Sequence, residues 1–170
     1  MIAVVEYADD WPRRFESERA RLAPILRPWL AADIEHIGST AVPGLAAKPT
    51  IDMLAGVRDL EEARAAFAPM EAAGYAYRPH RPEAHLFVKL PVETRTHGIH
   101  LTEVGSDLWV ERLAFRDALR ADAELAEEYA ALKRQLASAH PDDMRAYTDG
   151  KRAFVARTLA SQGVTLKPRR

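Results

Sequence analysis

One carboxylate in an otherwise apolar run is the first group in this chain that could do chemistry. Asp52 stands among Ile51, Met53, Leu54, Ala55 and Val57, and a carboxylate buried there is expensive unless something pairs with it. Upstream, Gly38-Ser39-Thr40 forms a turn of small residues, and Pro43, Gly44 and Pro49 punctuate the loop that follows. Strand, Gly-Ser turn, loop and acid-bearing strand is the layout of a polyphosphate and metal site. Backbone N–H groups at such a turn approach phosphate oxygens, and the acid can hold a divalent cation. Gly38, Ser39 and Thr40 are therefore expected to cradle a phosphate, with Lys48 adding charge from the far end of the loop. The plainer alternative makes Gly38 and Gly44 simple turn formers and puts Asp52 at a sheet edge.

Period-two alternation suggests which elements position these groups. Strands are expected over 34–37 and 50–57, a short one over 75–78, and two more over 85–90 and 98–104; residues 2–6 could form an edge strand. A helix is expected over 11–26, capped by Asp9 or Asp10, and another over 60–73, closed by Gly74. Residues 79–84, with Pro79 and Pro82, read as a loop. Counting alternate residues gives a shared polar face carrying His36, Asp52, His85 with Lys89, and His100. Asp52, His36 and His100 are the expected metal ligands, and Asp52 and His100 the expected catalytic pair, since imidazole titrates near neutral pH. His85 and Lys89 are further candidates, and Arg95 would reach an anion where the last strand begins. Each histidine could equally be a hydrogen-bonded, half-buried residue.

From Gly105 the pattern turns helical. Ser106 and Asp122 suit helix N-caps, and a third helix follows Pro141 and ends at Gly163, with Gly150 a weak point. The expectation is one α+β domain over 1–170, with a sheet-containing core at 1–104, a helical segment at 105–163 and a basic tail at 164–170. The chain has 170 residues and a formal net charge of −1, so no global field draws it to nucleic acid or to an anionic membrane. It has no cysteine, which removes disulfides and thiolate metal sites and fits a cytoplasmic setting. No apolar run approaches the ~20 residues of a membrane span.

Several long motifs carry a family resemblance. HIGSTAVPGLAAKPTIDMLAGV, RTHGIHLTEVGSDLW, LAFRDALR, YAALKRQLA and YTDGKRAFV resemble the GrpB family, whose domain also occurs fused to dephospho-CoA kinase. The resemblance covers nearly the whole chain. It implies a nucleotidyltransferase-like fold, a mixed sheet flanked by helices, and adds Arg116, Lys133 and Lys151 as cations that could clamp phosphate. Nucleotidyltransferases of this fold carry an acid-x-acid pair after the Gly-Ser turn, often with a third acid on a later strand, to hold two Mg²⁺ ions. Here Asp52 fits the first acid, but Leu54 occupies the second position and His100 stands on the later strand. One carboxylate with imidazoles suits Mn²⁺, Zn²⁺ or Fe²⁺ better than Mg²⁺. Two functions follow as expectations. The first is metal-dependent nucleotidyl or phosphoryl transfer to a small acceptor. The second is a non-catalytic module that binds a nucleotide or CoA-like ligand or assists a partner such as dephospho-CoA kinase.

Overall fold

The computed structural model describes residues 1–168. Five strands form one mixed sheet: β1 (Leu30–Ile37), β2 (Ile51–Val57), β3 (Tyr75–Arg81), β4 (Ala84–Lys89) and β5 (His97–Glu103), in the order β1-β2-β5-β4-β3. β2 runs parallel to β5, and the other neighbouring pairs are antiparallel. The α+β class is as expected.

Helices cover both faces of this sheet. On one face, α1 (Trp11–Leu26) sets Trp11, Phe15, Leu22 and Leu26 against Ile51, Met53, Ile99 and Leu101. These four helix residues share one side because their spacing follows the 3.6-residue turn. Asp10 occupies the N-cap position of α1, but its side chain makes no capping bond. A 3-10 turn at Glu62–Ala66 and the short α2 (Phe67–Ala72) complete this layer. On the other face, α3 (Asp107–Ala121) packs Leu108 and Trp109 against Ile37, Leu54 and Ala84.

Three helices follow: α4 (Ala123–Ala139), α5 (Met144–Gly150) and α6 (Arg152–Ser161). Ser106, Asp122 and Asp143 cap α3, α4 and α5, accepting the amides of Trp109, Leu125 and Ala146. The helices build a second core with the loop between β1 and β2. Val42, Leu45 and Ala46 pack there with Leu119, Tyr129, Ala130 and Phe154.

Four local expectations change. Residues 79–84 are mostly strand, with only Pro82 and Glu83 turning between β3 and β4. β3 lies at the sheet edge, where a proline need not break a ladder hydrogen bond. The helix expected over 60–73 is a 3-10 turn followed by α2. The strand expected over 2–6 shrinks to one bridge between Val5 and Ala47. The third C-terminal helix divides at Gly150, where a Cβ would run into Leu136. Of the expected basic tail, Arg169 and Arg170 lie outside the described residues.

Gly56 sets the closeness of α3 to the sheet. A Cβ there would lie 2.6 Å from Val104 Cγ2 and 2.8 Å from the Trp109 ring. Gly56→Ala should therefore destabilise the protein by about 1–3 kcal/mol through overpacking, read from the urea unfolding midpoint. An unchanged midpoint would mean that α3 moves away freely.

Candidate functional site

Strand register decides which polar groups meet. Asp52 pairs with Gly98 on β5 and Ile37 on β1, while Leu54 pairs with His100. Asp52 and His100 therefore lie on the face covered by α3. His36 pairs with Met53, and His85 with Leu101, both on the α1 face. The polar face expected to join His36, Asp52, His85, Lys89 and His100 is thus two faces. Alternation gives parity within a strand, and with helices on both sides parity does not say which side is which.

The groups on the α1 face are held in structural contacts. The His36 ring stacks on Phe15 at 4.7 Å, and its Nε2 is 2.9 Å from Thr40 Oγ1. The Thr40 hydroxyl donates to the Thr50 carbonyl at 3.0 Å, so it accepts from His36, which carries its proton on Nε2. Burial, with Arg120 and Arg116 nearby, pushes His36 down to about 4 and keeps it neutral. Thr40 and His36 together clasp the turn to the start of β2. His85 Nε2 lies 2.8 Å from the Leu60 carbonyl, and its ring meets the edge of Phe67. Lys89 donates to Glu18 at 2.9 Å, beside bonds from Tyr75 (2.6 Å) and Arg21 (2.5 Å). Burial alone would raise the Glu18 carboxyl, but these three donors outweigh it and hold it at about 2.

Two of the expected phosphate cations are also engaged elsewhere. Arg116 donates to Glu35 (2.6 Å), the His36 carbonyl (3.0 Å) and Asp117 (2.8 Å), which ties α3 to β1. Lys133 is buried, donates to the Ala46 carbonyl and lies 4.8 Å over the Tyr129 ring. Burial, then the charges of Lys151 and Arg134, push its ammonium down to about 7.

The remaining predicted residues converge on Asp52. Gly38 adopts φ 73°, a left-handed angle that favours glycine, and a Cβ there would sit 3.2 Å from Asp52 Oδ2. A Cβ at Gly98 would sit 3.4 Å from both Asp52 Oδ1 and Arg95 Nη2. The carboxylate thus lies in a slot between two glycines, 34% exposed through the cleft mouth. Arg95 Nη2 stands 3.7 Å from Oδ1, and the Arg95 carbonyl is tied by the Thr50 hydroxyl at 3.0 Å. Arg95 Nε is buried and has no hydrogen-bond partner. Lys48 reaches Met144 Sδ at 3.6 Å, and Lys151 lies 4.5 Å over the Tyr147 ring. Burial raises the Tyr129 phenol, and the nearby Ser39 side chain pulls it the other way. Burial raises the Asp52 pKa, against the opposing pull of Arg95, Arg112, Lys48 and Lys151.

Two of these cations are missing from the sequence reading. Arg112 of α3 is held below the usual arginine range by burial and then by the charge of Arg81, while Asp52 pulls it the other way. Arg112 is thus within electrostatic reach of Arg81, Asp52 and Glu111. The signal for it is its spacing, four residues after Leu108 on the helix side that packs on the sheet. Arg81 ends the hairpin strand that was expected to be loop, and its Nε is also buried without a partner.

Residues 1–161 match the family model of the GrpB protein. The chain belongs to the GrpB family. The UPF0157 protein YqkA of Bacillus subtilis is 38% identical over 155 residues, which cover 91% of this chain but only 45% of YqkA. The glutamate-rich protein GrpB of Alkalihalophilus pseudofirmus is 35% identical over 164 residues, 93% of this chain and 94% of that protein. The crystal structure of GrpB from Enterococcus faecalis superposes with a TM-score of 0.84 at 37% identity, covering 92% of this chain and 94% of that one. The GLD-2/RNP-8 complex gives a TM-score of 0.60 at 12% identity, over 86% of this chain and 51% of that one. The Cid1 poly(U) polymerase bound to MgATP gives 0.55 at 12% identity, over 86% and 50%. These last two share the nucleotidyltransferase-like fold with the GrpB chain and nothing finer.

The two-metal layout that the fold implies does not fit this donor set. Around Asp52 the sheet presents Ile37, Gly98 and Leu54, and Leu54 is wholly buried against α3. His36, the third expected ligand, is on the far face. Among the described residues, no group of three His, Asp or Glu side chains is placed to hold a metal ion. Mg²⁺ prefers a near-octahedral set of oxygens, which Asp52 by itself does not supply.

The Glu18 cluster yields a test of the scaffold role given to Lys89. Its folded pKa lies below the free value of 4.5, so its contribution is complete above that pH and is lost as pH falls toward 2. Glu18→Gln should cost about 3 kcal/mol at pH 7. The gap between wild type and variant should close progressively from pH 4.5 to 2 in urea unfolding. A gap that stayed constant with pH would contradict the ion-pair assignment.

Proposed function

We propose that the cleft over Asp52 binds the phosphate groups of a small phosphorylated molecule, a nucleotide or a CoA-like ligand. One observation carries this reading: Arg95, Arg112, Lys48 and Lys151 act on a single carboxylate, in a chain whose net charge is only −1. Such a local surplus in a partly desolvated concavity attracts polyanions. The unpartnered Arg95 Nε supports the same reading, because an arginine edge with an open Nε matches a phosphate oxygen. The Ser39 turn borders the slot through Gly38 and can add donors. The fold shared with Cid1, which has been solved with MgATP, favours a nucleotide as the phosphate carrier.

A transfer reaction is the second reading. Burial raises the Asp52 pKa, which makes its carboxylate a better proton acceptor for an attacking hydroxyl, and His100 shares its face. Transfer of a nucleotidyl or phosphoryl group to that hydroxyl would then need no second carboxylate as base. The plain binding module needs fewer assumptions and is preferred.

Calorimetric titration with ATP, CoA and dephospho-CoA tests the site. Arg95→Ala should weaken the bound ligand by about tenfold to a hundredfold, one charged hydrogen bond's worth, with little change in stability. Arg116→Ala should do the opposite, lowering stability by about 1–2 kcal/mol because the half-exposed Glu35 and the buried His36 carbonyl lose their donor, and leaving affinity unchanged. The reverse pattern, or no binding of any of the three ligands, would refute the site.

A further inference from the structure

Resting on the phosphate-site reading above, we propose that this cleft takes a polyphosphate without a divalent metal ion, with guanidinium and ammonium groups standing where the fold implies metal. The inference begins with what surrounds the carboxylate. The position that would carry a second acid is Leu54, packed against Leu108 of α3 in a fully formed apolar cluster. The partners of Asp52 on both neighbouring strands are Gly98 and Ile37. No ligand oxygen comes from any of these three.

Cations stand where a bound metal would need oxygens. Arg95 lies over the same Gly98 that flanks Asp52, with its Nη2 3.7 Å from Oδ1. A metal ion on Oδ1 would have to share that oxygen with a guanidinium. Lys48 comes from the β1–β2 loop, Arg112 from α3 and Lys151 from the junction of α5 and α6. Each arrives on a different segment, so the positive charge is assembled by the tertiary fold rather than by one stretch of chain. Four cations act on the Asp52 carboxylate, with Glu111 acting in turn on Arg112, so the immediate surroundings of Asp52 are positive. Free divalent ions are repelled there, and a polyphosphate stripped of metal carries more charge for the cations to attract.

The orphaned donors agree. The Nε atoms of both Arg95 and Arg81 are buried without a hydrogen-bond partner, and Arg81 is the cation that acts on Arg112. A buried donor left open is costly in the free protein and is satisfied when an oxyanion enters. Metal-coordinated phosphate oxygens are weaker acceptors for such donors than free ones. Two open Nε donors, one on each of these arginines, fit a chain of two or three phosphates better than a single phosphate.

The test uses inorganic triphosphate and, separately, ATP, each titrated into the full chain by calorimetry, once in EDTA and once in excess MgCl2 or MnCl2. Binding in EDTA should be at least as tight as with metal, and about tenfold tighter at low ionic strength, where charge is least screened. Arg95→Ala should remove that preference. Binding that appears only with Mg²⁺ or Mn²⁺ would overturn metal independence while leaving the phosphate site intact. Absence of binding by triphosphate and ATP under every condition would overturn both. Triphosphate binding as well as ATP would place recognition in the phosphates, and ATP binding alone would show that the base is also needed; either result in EDTA upholds the inference.

Discussion

The structure around the site depends on one carboxylate kept largely out of water. Asp52 sits on a strand second from the sheet edge, between two glycines whose missing side chains leave room for its oxygens. Burial works against its charge, and the elements closing over it each bring a cation in return. The loop supplies Lys48, the entry to β5 supplies Arg95 and the helix layer supplies Arg112 and Lys151. Remove the carboxylate and these cations would lose the counter-charge they share. Remove the cations and the carboxylate would protonate, as isolated buried acids do.

The helices after β5 hold the loop that shapes this cleft. A segment with two prolines and two glycines between β1 and β2 has little preference of its own for one conformation. Its position comes instead from burial of Val42, Leu45 and Ala46 among α3, α4 and α6. Polar contacts then fix the backbone: Arg120 donates to the Ala41 carbonyl at 2.8 Å, and Lys133 donates to that of Ala46. Lys133 is a buried ammonium whose value to the fold is this bond, which carries the loop toward Lys48. The same layer places Tyr129 against Ser39 and Met144 against Lys48. Packing in one core thus sets the geometry of chemistry in the adjoining cleft.

Much of the fold was legible because local signals and tertiary packing agree. Trp11, Phe15, Leu22 and Leu26 announce α1 by spacing alone, and the change of period at Gly105 marks the end of the sheet. Gly38, Asp52, Lys48 and Arg95 follow from residue type and loop order and Lys151 from the family resemblance, and all five bear on one carboxylate. The histidines were not legible. Strands buried on both faces, as β4 and β5 nearly are, offer no solvent side to fix the alternation, so His36 and Asp52 could not be assigned to sides without the register. Arg112 was hidden for a related reason. A cation on the packed side of a helix departs from the amphipathic pattern, and only the cleft beside Leu54 explains why it is tolerated there.

The two faces of the sheet use the same residue types to opposite ends. Beneath α1, charge is matched within the protein: Glu18 receives Lys89, Arg21 and Tyr75, and burial keeps His36 and His97 neutral at about 4. Beneath α3, the charges do not balance, and buried guanidinium donors remain without acceptors. A fold gains nothing from leaving such donors open, since water would satisfy them if the groups were simply solvated. Saturated polar groups on one face therefore mark scaffold, and the unsaturated ones on the other mark the place where something else must bind. On that criterion Lys89 and His36 belong to the framework, however promising their chemistry, and Arg95 and Arg81 belong to the site.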